Sequence, residues 1–155
     1  MVMTIFIVYA TYSNSTALAC EYLTKVLQAA GHSATMHLAT EATLDTLQQP
    51  DVLIFASPSW DYNGEQGMPH EDLTALQQRL GTTQLNSKPT AVMALGDSSF
   101  TYFCGAAEHL TTWLREKGGV ELLPALKIDS YYANEDLALQ QITAWSKDLL
   151  AKLST

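Results

Sequence analysis

The stretch Ala94-Leu95-Gly96-Asp97-Ser98-Ser99-Phe100-Thr101-Tyr102-Phe103-Cys104-Gly105-Ala106 decides the reading of this chain. It follows an apolar run at 90–95 that predicts a buried strand, and it precedes a helix-spaced run at 107–117. Strand, loop and helix in that order put the loop at the carboxyl edge of an α/β sheet, where such sheets bind ligands. Its contents are unusual for a connection. Phe100, Tyr102 and Phe103 fall with a carboxylate, several hydroxyls and two glycines between Gly96 and Gly105. Aromatics in a loop have little core to fill and suit the cover of a flat, partly apolar ligand. The bland alternative is that Phe100 and Phe103 are hydrophobic anchors, and for Phe103 packing under the following helix is the better reading.

The same alternation runs along the whole chain. Residues 4–9 are β-branched and aromatic, a strand; 15–30 show helical spacing closed by Gly31; 33–38 read as a strand near an edge. A short helix at 42–48 ends at Pro50, and 51–57 form the continuous apolar run expected of a central parallel strand. A long loop at 57–68 leads to a helix at 69–80 with Pro69 in its first turn. After the strand at 90–96 come a helix at 106–117 closed by Gly118-Gly119, a strand at 120–128 interrupted by Pro124, and a helix at 134–153. Leu137, Ile142, Trp145, Leu149 and Leu150 are expected on the inner face of that last helix. Five strand–helix alternations imply an α/β domain, one unit over 1–155, with a parallel sheet and helices on both faces. A five-stranded doubly wound sheet commonly has the order 2-1-3-4-5, with its crevice between the first and third strands. The loops after strands one, three and four should then meet.

Composition narrows the function. The 155 residues carry a formal net charge of −8, which opposes nucleic acid or an anionic membrane as partner. No lysine or arginine lies within 26–78 or 89–114, whereas the first span holds Glu41, Asp45, Asp51, Asp61, Glu65, Glu71 and Asp72. Such a face could steer a basic partner or simply keep the protein soluble. No apolar run approaches the roughly 20 residues of a membrane span, and the basic-free N-terminal stretch fits neither a signal nor a transit peptide. A cytoplasmic protein is expected, with Cys20 and Cys104 reduced and buried. His32, His37, His70 and His109 are scattered and read as surface residues, and adjacent Glu71 and Asp72 point apart on a helix.

The two remaining loops are as odd as the third. Thr11-Tyr12-Ser13-Asn14-Ser15-Thr16 joins the first strand to the first helix. Hydroxyls at a helix N-terminus make an anion site, held here without any cation. A single N-cap would explain one hydroxyl but not all of them. Ser57-Pro58-Ser59-Trp60-Asp61-Tyr62-Asn63-Gly64-Glu65-Gln66-Gly67 follows the third strand, and its Trp60 is placed to stack on a flat ligand. Trp60 and Tyr62 could instead form a lid on the sheet.

Gly96-Asp97-Ser98-Ser99, an aromatic, then Tyr102-Phe103-Cys104-Gly105 resembles the isoalloxazine-binding loop of flavodoxins, a family that is itself a standard example of the 2-1-3-4-5 order. The resemblance covers nearly the full length. It implies a flavodoxin-like three-layer sandwich and an FMN site. Thr11, Tyr12, Ser13, Asn14, Ser15 and Thr16 match the phosphate loop, with Ser13 for a threonine and Asn14 for a glycine, a residue that tolerates positive φ. Ser57, Pro58, Ser59, Trp60, Asp61, Tyr62 and Gly64 match the loop that stacks one flavin face, with Asp61 where a glycine is usual. A β-carbon there hinders the peptide flip that stabilises the flavin semiquinone, or moves the flip to Asn63-Gly64. Leu95, Gly96, Asp97, Phe100, Tyr102, Phe103 and Cys104 match the third loop, Phe100 standing for the outer stacking tyrosine.

The resemblance implies an electron carrier, not an enzyme. It would be a monomer moving low-potential electrons from a flavodoxin or ferredoxin reductase type of donor to a haem mono-oxygenase or other redox enzyme, docking on basic faces. Each carboxylate about 10 Å from reduced flavin costs that state roughly 1–2 kcal/mol at an effective dielectric near 20, so low potentials are expected. An FMN-dependent NAD(P)H reductase of quinones is the alternative, disfavoured by the absence of cations in the loops. A flavin-free binding module is another. A receiver domain is excluded, because Ala10-Thr11 and Ser57-Pro58 stand where it needs acids.

Overall fold

The computed structural model describes residues 1–62 and 64–154. In chain order the elements are β1 (Thr4–Tyr9), α1 (Ser15–Ala29), β2 (Ser33–Leu38), α2 (Leu44–Gln48), β3 (Val52–Tyr62) and β4 (Glu65–Pro69). There follow α3 (Glu71–Leu80), β5 (Pro89–Gly96), α4 (Gly105–Glu116), β6 (Val120–Glu121), β7 (Leu126–Asp129) and α5 (Glu135–Leu153). Parallel ladders join β2 to β1, β1 to β3, and β3 to β5, whose far edge takes β6 and β7. With β4, which pairs only with β3, set aside and β6 and β7 counted as one strand broken around Pro124, the five parallel strands have the expected order 2-1-3-4-5. The Pro124 carbonyl instead accepts the Trp145 indole N–H at 3.0 Å.

Alternation along the strands sorts their side chains to two faces. Ile5, Ile7, Ile54, Met93 and Leu95 pack with Leu23 and Leu27 of α1 and Ile142 and Leu149 of α5. Val8, Leu53, Phe55 and Val92 pack with Leu73 and Leu76 of α3 and Leu110 and Leu114 of α4. The two layers bury the strands on both sides, which is why they read as continuous apolar runs. On α5 the inward stripe is Ala138, Ile142, Trp145, Ser146 and Leu149, with Leu150 at its margin. Leu137, expected inside, is 53% exposed, because it lies one residue out of that 3–4 spacing.

The larger correction concerns the expected loop after the third strand. β3 does not stop at Ser57 but runs to Tyr62, and β4 pairs with it antiparallel, Ser59 opposite Pro69 and Trp60 opposite Met68. Pro69 therefore ends a strand rather than opening α3. His70 is the helix cap, its Nδ1 accepting the Asp72 amide at 3.0 Å. Likewise α2 starts at Leu44, two residues later than expected, behind the Thr43 capping box.

Ser57, still paired with Ala94 of β5, and Ser59, just past the last paired residue Pro58, continue the α3–α4 face of β3 over the sheet edge. The Ser57 hydroxyl accepts the His70 amide at 2.9 Å, and the Ser59 hydroxyl accepts the Ala106 amide at 3.0 Å. Each satisfies a backbone donor at a helix start. The α4 start is also pressed against β4: a Cβ on Gly105 would lie 2.6 Å from the Gly67 carbonyl oxygen and 2.8 Å from its Cα. Gly105→Ala is therefore expected to destabilise the protein by about 1–3 kcal/mol through forced backbone displacement. Urea unfolding measures this, and a loss below about 0.5 kcal/mol would contradict the tight contact.

Candidate functional site

Trp60 and Phe100 line a cleft of about 530 Å³ at the carboxyl edge of the sheet. Tyr12 and Ser13 from the first loop, Pro58, Ser59 and Asp61 from β3, and Gly96, Asp97, Tyr102 and Cys104 from the third loop share its walls. An adjoining lobe of about 410 Å³ is lined by Ser15, Leu95 and Phe100 together with Ser130, Tyr131, Tyr132 and Ala133. The aromatic walls are open to solvent, with Trp60 48%, Phe100 64% and Tyr102 58% exposed. Exposed aromatics facing a shared concavity are surface kept for a ligand rather than core.

The remaining residues singled out in the sequence lie beside the cleft rather than in its walls. Ser57 is buried, bonding His70 and donating to the Pro58 carbonyl at 2.7 Å. Phe103 packs half-buried against the second core layer. Gly64 sits at the hairpin tip with nothing within 4 Å of a Cβ. Tyr62 ends β3, its side chain and Asn63 lying outside the described residues, and with them the alternative Asn63-Gly64 turn.

The third loop is held by its own carboxylates. Asp97 accepts the Ser99 amide at 2.8 Å and the Ser99 hydroxyl at 2.7 Å. Asp129, at the end of β7, accepts the Ser98 amide at 2.9 Å and its hydroxyl at 2.7 Å, and also the Ser130 hydroxyl. These bonds hold both carboxyls below the usual carboxylate value, the serine hydroxyls contributing most. Cys104 enters α4 in the left-handed region at φ 51°. Its thiol points to the Ala94 carbonyl at 3.5 Å, and burial pushes it up to about 12, which leaves no thiolate for chemistry. A Cβ on Gly96 would sit 3.1 Å from that sulfur, so the glycine lets loop and strand close together.

The first loop presents unmet donors. Asn14 takes φ 72° and its side chain makes no cap. The first turn of α1 has no acidic residue, unlike those of α3, α4 and α5. Thr11 Oγ1 and Thr16 Oγ1 are buried with no hydrogen-bond partner among the described residues. A buried hydroxyl left unpaired costs about 1–3 kcal/mol. Two of them lie beside an uncapped helix start, the kind of terminus whose free amides suit an oxyanion.

Tyr12 departs from its neighbours. Its hydroxyl donates to Glu71 Oε2 at 2.6 Å, and its ring contacts Trp60 and His70. Burial and the Glu71 carboxylate raise its phenol well above the ordinary value. His70 is only 6% exposed, so the expectation of a surface histidine fails there. The α3 cap and the tyrosine stack draw it inward. His32 accepts the Met3 amide, and His109 faces Gln77 half-buried. Among the described residues no group of His, Cys, Asp or Glu is placed to hold a metal.

The fifth loop carries no expectation from the sequence, and Glu65, Gln66 and Gly67, expected as part of the second loop, are instead a return strand. Tyr131 and Tyr132, Gln66, Gly67 and Thr101 all reach the cleft. Tyr132 also donates its hydroxyl to the Ser13 carbonyl. The Ser130-Tyr131-Tyr132 triplet, directly after the last strand, was the signal available.

A family model described as Flavodoxin matches residues 7–145. A flavodoxin from Maridesulfovibrio salexigens is 27% identical over 149 residues, covering 95% of this chain and 97% of that protein. The oxidised flavodoxin 2 of Bacillus cereus superposes with a TM-score of 0.85 at 22% identity, covering 96% of this chain and 99% of that one. Flavodoxin of Fusobacterium nucleatum, solved bound to flavin mononucleotide, gives a TM-score of 0.81 at 17% identity, with 97% and 98% covered.

The depressed carboxyls predict an acid limit to the order of the third loop. A folded-state value below the unfolded one means the contribution is present above about pH 4 and lost as pH falls through the lowered value. Near-UV circular dichroism is expected to hold constant from neutrality to about pH 4 and then fall. Asp129→Asn should weaken that acid limb. An unchanged acid limb in the variant would deny Asp129 the role of loop anchor.

Proposed function

Because the chain belongs to the flavodoxin family of small FMN-carrying electron-transfer proteins, we propose that its aromatic cleft and first loop hold that cofactor. The protein is an electron carrier rather than an enzyme. FMN, when bound, supplies the redox chemistry, and the chain sets its surroundings. The observation that carries the assignment of residues is the pair of unpartnered buried hydroxyls, Thr11 and Thr16, at the uncapped start of α1. A phosphate there would meet hydroxyl and amide donors without any cation. Trp60 and Phe100 would cover the ring faces and exclude water, and the backbone of Gly96, Asp97, Tyr102 and Cys104 would meet the polar ring edge.

Asp61 gives the site its individual character. Its Oδ1 accepts the Gly67 amide at 3.3 Å, across a β-bulge between Trp60 and Tyr62. A peptide fastened on both strands of a hairpin resists rotation. The two one-electron potentials should therefore lie closer together than a freely turning glycine would allow. Acidic Asp61, Glu65, Asp97 and Glu71 near the cleft oppose added negative charge in it, which favours a low second potential.

The carrier works between redox partners. A basic docking face on each suits the acidic surroundings of the cleft, in a weak and salt-sensitive encounter. A reductase of the flavodoxin or ferredoxin type as donor, a haem mono-oxygenase or other redox enzyme as acceptor, a monomeric single-domain state over 1–155 and a cytoplasmic location complete the reading. No helix among the described residues is long and apolar enough to cross a membrane.

Anaerobic spectroelectrochemistry of the FMN-loaded protein tests this directly. The expected result is a yellow complex whose second potential lies below that of free flavin, with no steady NADH or NADPH oxidation by the protein alone. Failure to quench FMN fluorescence would overturn the cofactor site. In addition, Thr16→Val is expected to weaken FMN about 10- to 100-fold, the effect of a lost hydrogen bond to a charged group. Riboflavin, which lacks the phosphate, should bind the variant and the parent alike in fluorescence titrations.

A further inference from the structure

Tyr12 sits in the anion loop yet gives that loop no hydroxyl. Its O–H is taken by Glu71 on α3 at 2.6 Å. Its ring lies 3.9 Å from the His70 ring at an interplanar angle of 23°, and 4.5 Å from the Trp60 ring at 42°. His70 is fixed in turn: its amide donates to Ser57 at 2.9 Å, and its Nδ1 accepts the Asp72 amide at 3.0 Å. The Trp60 indole is half-exposed and makes no hydrogen bond among the described residues. The side chain, on a strand position opposite Met68, has the Tyr12 ring as its aromatic contact, and that contact leads through Tyr12 to a buried, doubly bonded histidine.

We propose that Tyr12 is a positioning residue for Trp60, fixing the tilt of the indole over the cleft so that a phosphate-loop residue serves recognition of the ligand's flat ring. The proposal rests on the cofactor assignment above. Its distinguishing consequence is that Tyr12 acts on the ring of the ligand and not on its phosphate. Side chains that keep the stack should keep the effect, whether or not they keep the hydroxyl.

The test titrates apoprotein with FMN and with riboflavin, for the parent chain, Tyr12→Phe and Tyr12→Thr. Tyr12→Thr is expected to weaken both ligands by the same factor, about three- to tenfold, the range of one aromatic contact. Tyr12→Phe, which loses only the Glu71 bond, should restore both to within about twofold of the parent. In apoprotein labelled at tryptophan, the Trp60 indole resonance should move in Tyr12→Thr and stay near its parent position in Tyr12→Phe. Trp113 and Trp145 serve as internal controls that a general loss of structure would also shift. Loss of FMN affinity with riboflavin unchanged, or a Trp60 resonance indifferent to Tyr12→Thr, would overturn the role of Tyr12 alone. A parent chain that binds neither ligand would overturn the cofactor assignment instead.

Discussion

The site depends on β3 continuing past the edge of the sheet and being fastened there. A parallel strand normally ends where its last partner ends, and its connection then bends over the surface. Here two serines at period-two spacing, Ser57 at the root of the overhang and Ser59 on it, make it a fixed arm. Ser57 anchors it to the start of α3 and Ser59 to the start of α4. The returning β4 is then held against α4 by backbone contact at Gly67 and Gly105, where side chains would not fit. Trp60 is carried on this arm, and Phe100 leads into the same α4 from the other side. The separation of the two aromatic walls is therefore set by main-chain packing. Loops alone would leave it to chance, since a site needs its supporting shell as much as its contacts.

The electrostatic design follows from the same economy of parts. An anion could be held by lysine or arginine, but none lies in the first, third or fourth strand–helix connections. In the proposed site helix amides and hydroxyls would do that work instead, as fixed dipoles that add no net positive charge. The cleft stays negative overall. Such a site accepts a phosphate already bound through oriented donors, yet opposes any further negative charge arriving in the same space. Holding an anion and resisting reduction are compatible only because dipoles, unlike cations, act over short distances.

Much of this was legible in the sequence, for reasons that differ by element. The doubly buried strands announced themselves as apolar runs, Val52 to Ala56 most plainly, because both faces meet helices. Asn14 was readable as a left-handed turn residue, and it takes φ 72°. The hairpin was not readable. Its second strand contains Gly67 and ends in Pro69, both poor strand formers, and tertiary contact with α4 overrides local propensity there. His70 was misjudged because its burial arises from Tyr12, a residue 58 positions away whose side chain a hydroxyl-rich loop gave no reason to place against a helix start. Leu137 was misjudged by one residue of helical phase.

Several departures from local rules meet in one place. An uncapped helix, two buried hydroxyls without partners and exposed aromatic rings each lower the stability of the empty fold. Elsewhere α3, α4 and α5 carry acidic first turns and α2 a capping box, although α4 and α5 also lack a side-chain cap and Gln77 Nε2 on α3 is buried without a partner among the described residues. What sets the first loop and its cleft apart is that two unpartnered hydroxyls, a helix start with neither cap nor acidic first turn, and exposed rings all meet there. A single phosphorylated, flat ligand would remove all three at once, supplying an acceptor to the amides and hydroxyls and an apolar surface to the rings. The binding free energy of such a ligand is then also folding free energy, because only the folded chain assembles the loops. The same unmet groups that would hold the cofactor would thus make the protein more stable with it than without it.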